Sequence, residues 1–208
     1  IKDSCKDDVD PCPGPLAQKV GEQRTNFTAT ADQSRTVQAA NAATSEAKSN
    51  DCVKHMRCHL RPYEPDDKKG GCCPGQSPHH IPPKSMLEGI VSGYNMKTAL
   101  CVCLEGASQH VGSHGEHHAA LDYIAGKPGK LDAQGKCTLK DYNKICAQAT
   151  AAQTGCNEEC IEAQLNNSFP ESEKSKQVKH YQSDSKQLSA ETKKSIDNIL
   201  SKKPSRDD

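Results

Sequence analysis

The sequence has no tryptophan and only seven aromatic residues, five Tyr and two Phe, in 208 positions. Large aliphatic side chains are scarce too. Leu, Ile, Val and Phe together number 29, below the roughly 20% of residues at which a chain comes under suspicion of disorder. That signature also asks for high net charge, whereas here 27 basic residues balance 27 acidic ones. One uniform core running through the whole chain is not expected. The longest apolar run, Ala99 to Leu104, is far short of the roughly 18 residues that a membrane span needs, so no membrane partner is expected. Zero net charge argues against broad electrostatic capture of nucleic acid but leaves room for a local patch that holds phosphates. No charged-then-apolar leader opens the chain, and its first residue is Ile1, as in a piece excised from a larger protein.

Against these shortages stand twelve Cys and nine His. Residues 51–167 hold ten of the Cys and eight of the His, in about 115 residues, an ordinary domain size. Three segments follow: a polar linker over 1–50, a Cys- and His-rich domain over 51–168, and a polar C-terminal tail over 169–208. In the tail, Leu188, Ile196, Ile199 and Leu200 mark a short amphipathic helix after Ser189, which can cap it.

Within the central block the local signals predict an α+β fold with little strand. Pro78 and Pro83 bracket a segment that cannot be helix interior, so His79-His80-Ile81 should be extended. Leu100, Val102 and Leu104 alternate with Cys101 and Cys103, as a short strand requires. Ser113-His114-Gly115-Glu116 has the form of a capping box opening a helix through about Ile124. Thr138 and Asp141 predict a second helix start, Leu139, Tyr142, Ile145 and Ala149 its apolar stripe, and Gly155 its stop. A last short helix should carry Cys160, Ile161 and Leu165.

The positions of the histidines say more than their number. His79 and His80 are neighbours on an extended segment, so their side chains point to opposite sides. His114 and His118 stand at i and i+4 on the predicted helix and share a face. That pair can put two imidazole nitrogens on one divalent ion, with a third ligand from the extended segment and open positions left for water and substrate. The remaining His of the doublet is then free to act as a base near neutral pH. His110 and His117 offer competing pairings, and a His-rich metal-buffering segment has the same spacing.

Five ordered blocks carry a resemblance over about 72–165: Cys73-Pro-Gly-Gln-Ser-Pro-His79-His80-Ile-Pro-Pro-Lys84, Tyr94-Asn95, Cys101-Val-Cys103-Leu-Glu-Gly106, His114-Gly-Glu-His-His118, and Cys156-Asn-Glu-Glu-Cys160-Ile-Glu-Ala-Gln-Leu165. Together they closely resemble the GHH-type toxins of the HNH/endonuclease VII superfamily, the nuclease tips found C-terminal to PAAR-type spike proteins of the type VI secretion system. Pro78 stands where the family name has Gly, and His117 is an additional His.

The resemblance implies a ββα-metal (HNH-like) nuclease core with additional helices. In that core His80 would be the general base and His79, His114 and His118 the ligands of one divalent ion, with Mg, Mn, Zn and Ni not distinguished. Asn95 would fix a backbone or imidazole orientation, and Lys84 or Lys97 could touch phosphate. It further implies a metal-dependent DNase of little sequence preference, a cognate immunity protein, a PAAR/spike portion of the parent effector, secretion through a type VI system, and action in the cytoplasm of a target bacterium. Residues 1–50 would then be a pre-toxin segment. An RNase of the same fold and a non-catalytic binding module stabilised by zinc or disulfides are the alternatives.

The cysteines admit several arrangements. Cys52, Cys58, Cys72 and Cys73, with His55 and His59 nearby, could hold a structural zinc, although the spacing fits no standard finger. Cys101 or Cys103 could form disulfides with Cys156 or Cys160, since the family blocks carry both pairs, or the four could make a second zinc site. Disulfides would brace a domain with a thin aliphatic core.

Overall fold

A computed structural model describes residues 42, 44–45, 57–64, 72, 76–106, 112–183 and 188–202. The linker expected over 1–50 lies outside them apart from three positions, as do Cys52, His55, Cys73 and His110.

The doublet His79-His80 ends a strand because prolines on either side hold the backbone extended. β1 (Arg61–Pro62), β2 (Gln76–His80) and β3 (Leu100–Glu105) form a sheet in the order β1-β3-β2. β2 is thus an edge strand, where Pro78 can lack an N–H without breaking a ladder. β2 and β3 run antiparallel, with His79 opposite Val102 and His80 opposite Cys101. Between them comes one helical turn, α1 (Lys84–Leu87), which buries Met86 and Leu87. α2 (Gly112–Ala125) follows β3 and carries His114, His117 and His118.

The capping box expected at Ser113 is not formed. Ser113 already lies inside α2, and its hydroxyl donates to Glu105 Oε2 (2.6 Å) and accepts from the Glu105 N–H (2.8 Å). Glu116 instead accepts the N–H of Ser189 (3.2 Å). A buried carboxylate on β3 takes the serine away from its own helix.

That carboxylate is the centre of a buried polar knot. Glu105 and Arg57, each 1% exposed, form an ion pair, and Gln76 Nε2 donates to Glu105 Oε1 (2.8 Å). Removing one partner of such a pair leaves the other charge buried and unpaired, which costs about 3–5 kcal/mol. Glu105→Ala is therefore expected to lower the unfolding free energy by about that amount, read from the midpoint of urea denaturation. A change below about 1 kcal/mol would mean that water or another group already compensates Arg57.

β4 (Lys136–Thr138) leads into α3 (Leu139–Thr154), the axis of the helical half. Its caps are those the sequence predicts. Thr138 Oγ1 accepts from the Asp141 N–H (3.1 Å) and donates to Asp141 Oδ2 (2.6 Å), and Gly155 closes the helix at φ 78°. The predicted stripe of Leu139, Tyr142, Ile145 and Ala149 is buried, but so are Asn143, Thr150, Gln153 and Thr154. Their donor groups are tied internally, while Asn143 Oδ1 and Gln153 Oε1 have no hydrogen-bond partner. Asn143 donates to Asn166 Oδ1 (3.0 Å), Gln153 to the Ser113 carbonyl, and the threonine hydroxyls to carbonyls one turn back. Small Ala147, Ala149 and Ala151 let neighbouring helices come close.

α4 (Glu158–Asn167), capped by Asn157, packs on α3 and buries Ile161 and Leu165. From 169 onward the chain returns to this core. After α5 (Glu171–Lys174), β5 (Gln177–Lys179) pairs antiparallel with β4. The predicted terminal helix, α6 (Ala190–Ser201), is capped by Ser189. Val178 and Ile196 are fully buried in the same cluster as Leu121, Ile124 and Tyr142. Val178 and Ile196 seat the two elements, with Phe169, Leu188 and Leu200 packed against the same cluster.

The cysteines pair across the groups in which the sequence places them. Cys58 is bonded to Cys156 and Cys72 to Cys103, and Cys160 is also in a disulfide. Cys103 thus does not reach Cys156 or Cys160, and Cys101 is a free, buried thiol. Both of these bridges, Cys58–Cys156 and Cys72–Cys103, join one cysteine of each candidate zinc set, so neither set keeps its four thiolates. Gln164 reinforces the first bridge, accepting the Leu60 N–H (2.9 Å) and donating to the Cys58 carbonyl (2.8 Å).

Candidate metal centre

Strand alternation and helical spacing bring three imidazoles to one point. β2 presents Ser77 and His79 on one side, and α2 presents His114 and His118 one turn apart. The ligand nitrogens of His79, His114 and His118 all lie within 4.8 Å of one another. The His114 and His118 rings are stacked (centroids 5.6 Å apart, 15°), and His79 meets both at nearly right angles (83° and 87°).

The hydrogen bonds fix which nitrogens are available. Ser77 has one hydroxyl hydrogen and donates it to the Gly106 carbonyl (2.7 Å). Its oxygen therefore accepts from His114 Nδ1 (2.7 Å), which leaves His114 Nε2 with a bare lone pair. His79 Nδ1 lies 2.9 Å from that nitrogen and must be the donor. A ligating His usually donates its other ring N–H to a partner that orients it, and Ser77 stands in that place for His114. Burial first, and then the neighbouring imidazoles, hold His79 well below the usual imidazole range. The nitrogens of buried His79 and half-buried His114 and His118 are a donor set suited to a divalent ion, and His79 Nε2 is buried without a hydrogen-bond partner. Leaving such an atom unpaired costs about 1–3 kcal/mol.

His80 points to the opposite side of the strand, as alternation predicts. Its ring stacks on Tyr63 (centroids 4.5 Å apart, 14°), and Nε2 donates to the Met96 carbonyl (2.8 Å). That bond leaves Nδ1 as the acceptor. Tyr63, His79, His80, Lys84, Met96, His114 and His118 line an open groove of about 430 Å³.

Asn95 does not touch His80. Its side chain accepts the Lys97 N–H (2.9 Å), and its carbonyl accepts the N–H groups of Thr98 and Ala99. It shapes the turn that presents the Met96 carbonyl. Lys84 lines the groove, whereas Lys97 is paired with Glu64 (2.9 Å) on the surface and lies outside the lining. Tyr63, Ser77 and Met96 were not singled out from the sequence. Ser77 carried a usable signal, since it lies two residues before His79 on a strand. Tyr63 and Met96 carried none, because the fold alone brings them to His80.

Residues 80–169 match the family described as GHH signature containing HNH/Endo VII superfamily nuclease toxin 2. His80, Asn95, His114 and His118 fall within the match, and His79 lies one residue before it. Residues 80–169 belong to this nuclease toxin family. The chain is also 30% identical over 157 residues to the DNase toxin Tse7 of Pseudomonas aeruginosa, a match covering 64% of this chain and 40% of that protein. The match thus spans less than half the length of that relative. No solved structure matches the chain.

His117 of the toxin domain, offered by the sequence as a competing ligand, is turned away from the groove. It is fully buried, and its Nε2 lies 3.0 Å from Thr150 Oγ1 on α3. Burial is the main cause that holds it, like His79, well below the usual imidazole range.

Proposed function

We propose that the toxin domain is a metal-dependent endonuclease that hydrolyses phosphodiester bonds in DNA with little sequence preference. The observation that carries this reading is the meeting of three imidazoles on one side of β2, with His80 fixed on the other side by the Met96 carbonyl. β2, β3 and α2 then correspond to the ββα-metal arrangement of the superfamily.

His79, His114 and His118 would hold one divalent ion, which would stabilise negative charge on the phosphorane and the leaving 3′ oxygen. His80 acts as the general base. Its Nε2–H is anchored on Met96, so Nδ1 takes the proton from the attacking water. Tyr63 holds the ring flat, and Asn95 holds the turn that supplies the anchor. Lys84, at the side of the groove, would meet a substrate phosphate. Contacts to phosphate position a strand without reading its bases.

As a toxin acting on DNA, the domain fits release by a type VI system from a PAAR-bearing parent protein. It would act in the cytoplasm of the target bacterium and be blocked by a cognate immunity protein in the producer.

Supercoiled plasmid incubated with the 208-residue chain tests the reading, with Mg, Mn, Zn or Ni added singly and with EDTA. Nicked and then linear DNA is expected with metal and none with EDTA, while folded RNA in a parallel reaction stays intact. RNA cut in preference to plasmid would move the substrate to RNA. A folded, metal-loaded chain that cuts neither would turn the histidines into a structural cluster and sink the nuclease mechanism.

A further inference from the structure

Two buried nitrogens of the histidine cluster have no hydrogen-bond partner: Nε2 of His79 and Nδ1 of His117. The two rings are neighbours, with centroids 4.6 Å apart and planes tilted by 59°. Both residues are buried, at 3% and 0% exposure. Buried polar atoms are rarely left unpaired, and here two orphans stand on adjacent rings.

The hydrogens around them can be counted. Thr150 has one hydroxyl hydrogen and donates it to the Cys146 carbonyl (2.8 Å). Its oxygen can then only accept from His117, so the His117 hydrogen is on Nε2 and Nδ1 is a bare lone pair. On the other side, His79 gives its Nδ1 hydrogen to His114, which leaves its Nε2 bare as well. Two bare lone pairs thus sit on neighbouring rings, and neither has a hydrogen to meet it. One hydrogen placed on His79 Nε2 would satisfy both.

We propose that His117 is a positioning residue for the metal centre: when His79 gives Nδ1 to the cation, its ring hydrogen resides on Nε2 and is donated to His117 Nδ1. The ring loses one hydrogen from Nδ1 and carries one on Nε2, so its charge is unchanged. A continuous line then runs from His79 through His117 and Thr150 to the Cys146 carbonyl, anchoring the ligand on α3. This rests on the metal reading of the preceding subsection. A partner that orients a ligating His typically contributes 10–100-fold to metal affinity.

Zinc binding to the 208-residue chain, measured by calorimetry, tests it with two substitutions. In His117→Asn the amide oxygen stands near the position of Nδ1 and can accept from His79. In His117→Gln the amide reaches the position of Nε2, keeping the Thr150 contact but leaving His79 without an acceptor. Zinc affinity is expected to fall by about 10–100-fold in the Gln variant and by less than about threefold in the Asn variant. A merely structural role would instead track the melting temperature of the metal-free variants.

The wild-type protein supplies a readout that needs no variant. In 15N-detected NMR of the imidazoles, zinc should move the His79 hydrogen from Nδ1 to Nε2. Unchanged zinc affinity in a folded His117→Gln variant, or a His79 hydrogen that stays on Nδ1 with zinc bound, would overturn this inference alone. A wild-type chain that binds no zinc or manganese would overturn the metal reading and this inference with it.

Discussion

Replacing His80 with alanine is expected to slow plasmid cleavage by about 10²–10⁴-fold, the range that a positioned proton-transfer group supplies. The size of the effect follows from how little else in the groove can do the work. His79 is buried, and His114 Nδ1 is bound to Ser77. His80 alone combines an anchored Nε2–H with a place in the groove that His114 and His118 also line. The same substitution should leave zinc affinity within about threefold of wild type, because His80 is outside the ligand set, whereas His114→Ala should lose the affinity along with the activity. Rates and calorimetry together separate the two roles. A His80→Ala variant that binds zinc normally and cuts at the wild-type rate would remove the general-base assignment.

The second large effect concerns stability. Cys58 and Cys156 are 98 residues apart in the chain, and closing a loop of about 100 residues restricts the unfolded state by about 4.7 kcal/mol in the chain-entropy account. Domains of this size are stable by about 5–15 kcal/mol in total, so the bridge represents a large share of the margin. Cys58→Ala/Cys156→Ala is expected to lower the urea midpoint correspondingly, with the slope m raised or unchanged as the unfolded chain expands. The Cys72–Cys103 bridge spans 31 residues and should contribute about 1 kcal/mol less on the same account. If the double variant unfolds at the wild-type midpoint, then the contacts of Gln164 with Leu60 and Cys58 already hold the segment. Because disulfides persist in oxidising compartments and are reduced in the cytosol, the same measurement with dithiothreitol shows how much fold survives a reducing environment.

The local signals in the sequence were reliable where a single residue type has one good place to be. Thr138 with Asp141, Gly155 and Ser189 mark their helix ends, and each forms the cap its chemistry favours. The clustering of His79, His114 and His118 was legible for the same reason, since strand alternation at His79 and His80 and the i, i+4 spacing of His114 and His118 need no tertiary knowledge. Ser113 failed as a cap because a group distant in sequence, the buried Glu105 carboxylate, competes for its hydroxyl. The disulfide pairing was hidden because connectivity depends on which segments meet, and the spacing of cysteines does not encode that. The burial of Asn143, Thr150 and Gln153 was hidden for a related reason. A polar residue is cheap to bury only where a partner awaits it, and those partners lie on other helices or one turn back.

The closing of the fold by α6 has a consequence for the order in which the protein is made. Ser189, which holds Glu116 of the histidine helix, comes 73 residues later in the chain, and Ile196 completes the cluster around Leu121 and Ile124. At about 5–20 residues per second, translation takes about 4–15 s to cover that distance. In the later part of this interval the histidines have left the ribosome on a helix whose apolar side has no complete floor. The three clustered histidines are synthesised early, but the core beneath their helix is finished only when Ile196 has emerged.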